Sequence, residues 1–289
     1  EFVPAHLAVI HQYMRERYAS PGKMILASDS HTRYGPAGTL SVGEGGPELV
    51  KQLLGRTYDI KYPEVIAVWL EGRPRPGVGP QDVALAIIHA TFKNEFVKNK
   101  VLEFIGPGVS NLSMDYRFGI DVMTTESACL SSVWRTDRHV RDFLEIHGRS
   151  GEYAELNPSE GACYDGAIVV ELDKIEPMIA LPFHPSNCYT IREFKENMED
   201  ILAAVDEDAA KLLNLKSPVE SLRSKIRDGR FVVDQAFVGG CSGGLYQNII
   251  RMAEILGGSS IGSDGFSLSV YPASQPMMIK LTENGTLTT

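Results

Sequence analysis

Three polar residues in a row, Asp29-Ser30-His31, follow the short apolar run Met24-Ile25-Leu26-Ala27. An apolar run of that length is consistent with a buried strand. The carboxyl end of such a strand is where open α/β sheets build their sites. A carboxylate, a hydroxyl and an imidazole in that place could move a proton. They read equally as a polar strand-to-loop turn, with Asp29 capping backbone amides.

His11 lies on a stripe formed by Leu7, Ile10, His11, Met14 and Tyr18, so it should face inward and need a hydrogen-bond partner. The strand that delivers Asp29 comes next in the chain, so the two can meet. Taken alone, a satisfied core histidine is the simpler reading. Glu126 stands among Thr124, Thr125 and Ser127. A carboxylate among hydroxyls suits a partly buried acid, and a histidine–carboxylate pair makes a useful proton donor. A helix-surface glutamate fits the same residues. In Gly239-Gly240-Cys241-Ser242-Gly243-Gly244, a cysteine sits between a strand end and a helix start. The positive helix end would lower its thiol pKa, which suits a metal ligand or nucleophile. The same geometry suits phosphate. Neither glycine-rich nucleotide fingerprint is matched, and a tight glycine turn with an incidental thiol explains it as well.

The elements that must position these groups alternate. Helices are expected over residues 4–19, 47–54, 80–92, 136–147 and 192–213, and a largely helical stretch over 113–132. Strands are expected over 23–27, 64–70, 100–105, 167–172, 231–238 and 266–271. Alternation of this kind implies an α/β protein with mainly parallel sheets flanked by helices. Pro/Gly loops lie at 72–79 and 182–187.

At 289 residues, with 43% hydrophobic and 22% charged content, the composition is that of a soluble globular protein. A net charge of -9 and no basic cluster exclude nucleic acid as the main partner. The stretch Arg135 to Arg149 is broken by Asp137, Asp142 and Glu145 and reads as a solvated helix face. No apolar run reaches the roughly 20 residues of a membrane span. The cysteines, Cys129, Cys163, Cys188 and Cys241, are widely spaced, which points to reduced thiols in the cytoplasm. The sequons at Asn111 and Asn284 then read as chance matches. The chain opens on Glu1-Phe2 and stops at Thr289 just after the start of another strand–helix unit, so it reads as a piece of something longer.

In order along the chain, these segments resemble the aconitase family. The resemblance is carried by Ile10-His11-Gln12, Tyr18-Ala19-Ser20-Pro21-Gly22 and Asp29-Ser30-His31-Thr32. It continues through Pro63-Glu64-Val65-Ile66, Gly106-Pro107-Gly108-Val109, Ala162-Cys163-Tyr164-Asp165, Leu181-Pro182-Phe183 and Val238-Gly239-Gly240-Cys241-Ser242. It implies a multi-domain fold, with residues 1–64 in a first domain, 65–182 in a second and 183–289 beginning a third. It implies a hydratase or dehydratase acting on a small hydroxy-polycarboxylic acid, with a [4Fe–4S] cluster held by three cysteines. By position, Cys241 would be one cluster ligand, His11 would pair with Asp29, and His31 with Glu126, with Ser30 between them in the motif. The other two cysteines, the substrate-binding arginines and the serine base would lie in remaining domains of the chain. This piece alone is then expected to be inactive and to hold no stable cluster.

Three positions depart from the family pattern: Tyr34 and Val122 stand where it has asparagines, and Cys241-Ser242-Gly243 replaces Cys-Thr-Asn. They imply a different substrate, an altered cluster, or a binding module that has lost catalysis. A phosphate- or nucleotide-binding α/β protein using residues 239–244 is the remaining alternative.

Overall fold

The computed structural model describes residues 2–213, 220–263 and 265–287. Glu1 and Thr289, the ends on which the expectation of a longer chain was based, lie outside the described residues.

Helix α1 (Ile10–Arg17) leads into β1 (Met24–Ala27), β2 (Leu40–Gly43) and α2 (Gly46–Leu53). Then come β3 (Val65–Glu71), α3 (Pro80–Thr91), β4 (Val101–Ile105), α4 (Met114–Met123), β5 (Ser131–Trp134), α5 (Arg138–Ile146) and β6 (Gly166–Glu171). The last part holds β7 (Met178–Ala180), β8 (Cys188–Thr190), α6 (Ile191–Glu196), α7 (Met198–Leu213), β9 (Ile226–Arg227) and β10 (Arg230–Phe231). It ends with β11 (Gln235–Val238), α8 (Gly240–Gly243), α9 (Tyr246–Leu256), β12 (Ser267–Val270) and α10 (Gln275–Glu283).

The framework is a four-stranded, all-parallel sheet in the order β5-β4-β3-β6. Period-2 alternation along β3 sends Ile66, Val68 and Leu70 to one face, where they are fully buried against Val83, Ala84 and Ile87 of α3 and Ile120 of α4. Trp69 and Val169 on the other face stay 40% and 64% exposed. Phe104 and Trp134 stack across β4 and β5 with centroids 4.1 Å apart. Two smaller parallel pairs, β1 with β2 and β11 with β12, flank this sheet. β2 is fastened to β5 by Ser131 Oγ, which donates to the Ser41 carbonyl at 2.7 Å and accepts from the Ser41 amide at 3.2 Å. Leu181, Phe194, Met198, Ile201, Leu202 and Val205 form a separate core under α6 and α7. No helix among the described residues is long and apolar enough to cross a membrane.

Several elements differ from the sequence expectations. The first helix starts at Ile10, because Ala8 pairs as an isolated antiparallel bridge with Ser274. Its inward face is His11, Gln12 and Arg15, while Ile10 and Tyr18 are 62% and 38% exposed. The stretch 113–132 ends in a 3-10 turn at Thr124–Ser127 and strand β5, whose Ser131 and Ser132 are buried polar residues that hide the strand from an apolar pattern. The glycine-rich segment contains β2, and 231–238 divides into β10 and β11. The helix expected over 192–213 breaks at Asn197. Nor is 135–149 a wholly solvated face. Val140, Phe143 and Leu144 are buried, and Arg149 caps α1 through the carbonyls of Arg15, Glu16 and Ala19.

Candidate active site

Asp29, Ser30 and His31 lie on the loop that leaves β1. Gly43 of β2 lets that loop come close: a Cβ there would lie 2.1 Å from the Asp29 carbonyl oxygen. The His31 amide donates to Asp29 Oδ1 at 2.8 Å, so the carboxylate does act as a turn cap. The same Oδ1 lies 2.9 Å from His11 Nε2. The backbone of Ser30 is held from the other side, its carbonyl accepting from Thr125 Oγ1 at 2.7 Å.

His11 is buried, and its Nδ1 lies 3.1 Å from the Tyr34 hydroxyl. Burial lowers the His11 pKa and outweighs Asp29, so the ring is neutral. Burial pushes the Tyr34 phenol up to about 12, which keeps it a proton donor. For Asp29 the burial penalty is outweighed by the His31 amide and His11, so its pKa is lowered and it accepts only. These three states admit one arrangement: Tyr34 donates to Nδ1, and Nε2–H donates to Asp29. Both His11 nitrogens are thereby occupied, while the Asp29 side chain remains 54% exposed.

His31 stands between two acidic groups. Its Nε2 is 3.3 Å from Glu126 Oε1, and its Nδ1 is 3.6 Å from Cys241 Sγ. Those two hydrogen bonds, Cys241 first, push the imidazole up to about 10, so it is charged at neutral pH. Glu126 is lowered chiefly by the same bond. His184 Nε2 adds a weaker contact at 4.0 Å from Glu126 Oε2, its ring stacked 3.9 Å from Phe92. Burial raises the Cys241 thiol, but His31 and the Arg15 guanidinium together bring it below its usual range. The expected help from a helix start is small, because α8 is a single turn and α9 begins only at Tyr246. The thiolate is favoured by neighbouring cations rather than by a helix dipole.

His11, Asp29, Ser30, His31, Glu126 and Cys241 thus come together in one place, and the rings of His11 and His31 are 6.2 Å apart. Arg15 and His184 were not anticipated as neighbours of the site, nor was Tyr34 as the partner of His11. Arg15 was detectable, since it falls one turn after His11 on the same helical face. Tyr34 and Val122, two of the departures from the family pattern, are both essentially buried, and Tyr34 meets the site through His11. Cys241 offers one partly buried sulfur beside His31 and Arg15, whose charges lower its thiol pKa, which fits a single ligand position of an iron–sulfur cluster. Cys129 and Cys188 are buried and Cys163 exposed, with thiols directed to the carbonyls of Thr124, Leu85 and Gly161.

The family model described as aconitase family (aconitate hydratase) matches residues 1–289. The chain belongs to the aconitase family. It is 27% identical to the 3-isopropylmalate dehydratase large subunit of Elusimicrobium minutum, over 96% of this chain and 58% of that protein. Its identity to large subunit 2 of 3-isopropylmalate dehydratase from Archaeoglobus fulgidus is 28%, over 99% of this chain and 60% of that protein. Mitochondrial aconitate hydratase of Gracilaria gracilis is 33% identical over 66% of the chain and 25% of its own length. This aconitase-family chain therefore spans about 60% of the dehydratase large subunits it matches and a quarter of the aconitate hydratase.

Proposed function

We propose that the whole protein is a hydro-lyase that adds or removes water on a small hydroxy-polycarboxylic acid, and that this chain supplies its imidazole–carboxylate machinery. The observation that carries this is His31, bracketed by Glu126 and Cys241 on the loop that also holds Asp29. When bound, a [4Fe–4S] cluster supplies a Lewis-acidic iron for the substrate's hydroxyl and carboxylate, with Cys241 as one of its thiolate ligands.

The remaining roles belong to the chain's own side chains. Glu126 is the ionised partner that fixes the His31 ring and keeps it protonated, ready to donate to a departing hydroxide. Asp29 is the exposed carboxylate of the pair, and it is oriented at one oxygen by the His11 Nε2–H and the His31 amide. His11, with both nitrogens engaged, acts by holding Asp29 rather than by meeting substrate. Ser30 is held at its carbonyl by Thr125, which aims the tripeptide at the recess. The relatives, by name a dehydratase and a hydratase, support the reaction class.

Replacing His31 with alanine in the full-length protein is expected to lower turnover of its hydroxy-polycarboxylate by about 10²–10⁴-fold, the usual contribution of a positioned acid. A panel of such acids, followed through the ultraviolet absorbance of the unsaturated product, supplies the assay. Unchanged turnover would overturn the role given to His31.

A further inference from the structure

Arg15 is fully buried on the inward face of α1. Its Nη1 donates to the Cys241 carbonyl at 2.7 Å and to Gln12 Oε1 at 3.4 Å. Nε and Nη2 are buried and make no hydrogen bond. The guanidinium carbon lies over the Phe118 ring, 4.6 Å from its centroid. Two acids lie within electrostatic reach, the half-buried Asp115 and the buried Asp121, but neither forms an ion pair with Arg15. After the desolvation that opposes its charge, the strongest influence on Arg15 is the Cys241 thiolate.

A buried cation with two idle donors and, among the described residues, no carboxylate at ion-pair distance is costly to the fold unless an anion compensates it. Among the described residues, its side-chain hydrogen bond outside its own helix goes to the turn carrying Cys241. From this we infer that Arg15 is the resident counter-cation of the Cys241 ligand position: it anchors that turn and offsets the negative charge of a thiolate-ligated iron–sulfur cluster. The inference rests on the hydro-lyase reading above and adds to it a positioning residue that acts through Cys241 without touching substrate. Its consequence is a change of sign. With the cluster bound, Arg15 stabilises the site. Without the cluster, the same buried charge keeps the Cys241 sulfur nearby but has no carboxylate at ion-pair distance among the described residues, and it weighs on the fold.

The test compares the full-length protein with Arg15→Met, which keeps the stem and removes the charge, and Arg15→Lys, which keeps the charge. Each is reconstituted anaerobically with iron and sulfide. Removing a group that supports a metal ligand lowers metal affinity about 10–100-fold. The Met variant is accordingly expected to lose iron to a chelator about 10–100-fold faster than the parent. Its reduction potential should be more negative than that of the parent, with the Lys variant close to the parent in both. In the cluster-free proteins the Met variant should melt at or above the parent's Tm. Equal cluster retention and equal potential in Met and parent overturn the inference while leaving the hydro-lyase reading intact. So does a cluster-free Met variant that melts well below the parent, since Arg15 would then be a plain structural residue. If the parent itself holds no iron and sulfide, the hydro-lyase reading fails, and the inference fails with it.

Discussion

At the scale of single residues, the site is a set of proton-holding states imposed by neighbours. His11 is neutral because it is buried, and His31 is charged because it lies between the Cys241 sulfur and the Glu126 carboxylate. The two imidazoles are only 6.2 Å apart and do different things for that reason. Tyr34 completes the set, since its hydroxyl satisfies the one His11 nitrogen that Asp29 does not reach. Tyr34→Phe would leave a buried acceptor without a donor, which costs about 1–3 kcal/mol. Urea unfolding of the variant should show a loss in that range; no loss would mean that His11 Nδ1 finds another donor. The sequence alone placed His11 on an inward face and Asp29 at a strand end. It did not pick out Tyr34 as the partner of His11, because Tyr34 lies on the connection between β1 and β2, whose path depends on β2 packing alongside β1.

At the scale of elements, the loop between β1 and β2 is held at both ends by close approach. Gly43 sits under the Asp29 carbonyl, and the Ser131 hydroxyl ties β2 to β5. Gly43→Ala would push a Cβ into the Asp29 backbone, and overpacking of this kind costs about 1–3 kcal/mol. Because the displaced atoms carry Asp29 and His31, turnover of the full-length protein should fall further than its stability. Thermal melts run beside rate assays separate the two, and a melt and a rate both like the parent's would contradict the close approach. Long periodic helices such as α3 were legible in the sequence. β2 and β5, four residues each with buried serines, were not. The Ser131 hydroxyl is satisfied by the Ser41 backbone across the sheet boundary, and no pattern within either strand shows that. The stripe in α1 misled for a related reason. Its buried face is His11, Gln12 and Arg15, polar groups directed at a site rather than at an apolar core.

Across the whole molecule, a largely buried charge pair fastens α5 to α4. Arg117 of α4 is fully buried and makes a two-bond pair with Asp137, at 3.1 and 2.5 Å, while also holding the carbonyls of Leu112 and Val109. Asp137 in turn caps α5 through the His139 amide. Burial raises the Asp137 pKa, but Arg117 outweighs it, so the net shift is downward. A carboxyl with a depressed folded-state pKa contributes stability that is present above its unfolded value, about 3.9, and is lost as pH falls through the folded value. Asp137→Ala breaks a buried pair from one side and should cost about 3–5 kcal/mol at neutral pH. The difference between parent and variant should shrink as the pH is taken below about 4. A gap that stays constant down to strongly acid pH would show that Asp137 acts through packing and capping rather than charge.

The amino-acid sequence determined the alternation of strands and helices, the position of Asp29-Ser30-His31 at a strand end, and the order of motifs that marks the family. Each of these depends on residues close together in the chain, where periodicity and turn chemistry act directly. The tertiary structure decided which groups meet. His31 reaches Glu126 across 95 residues and Cys241 across 210, and Arg15 reaches the Cys241 carbonyl across 226. Contacts so distant are set by the packing of whole elements around a common core, and so are the burial and the neighbouring charges that assign each side chain its proton.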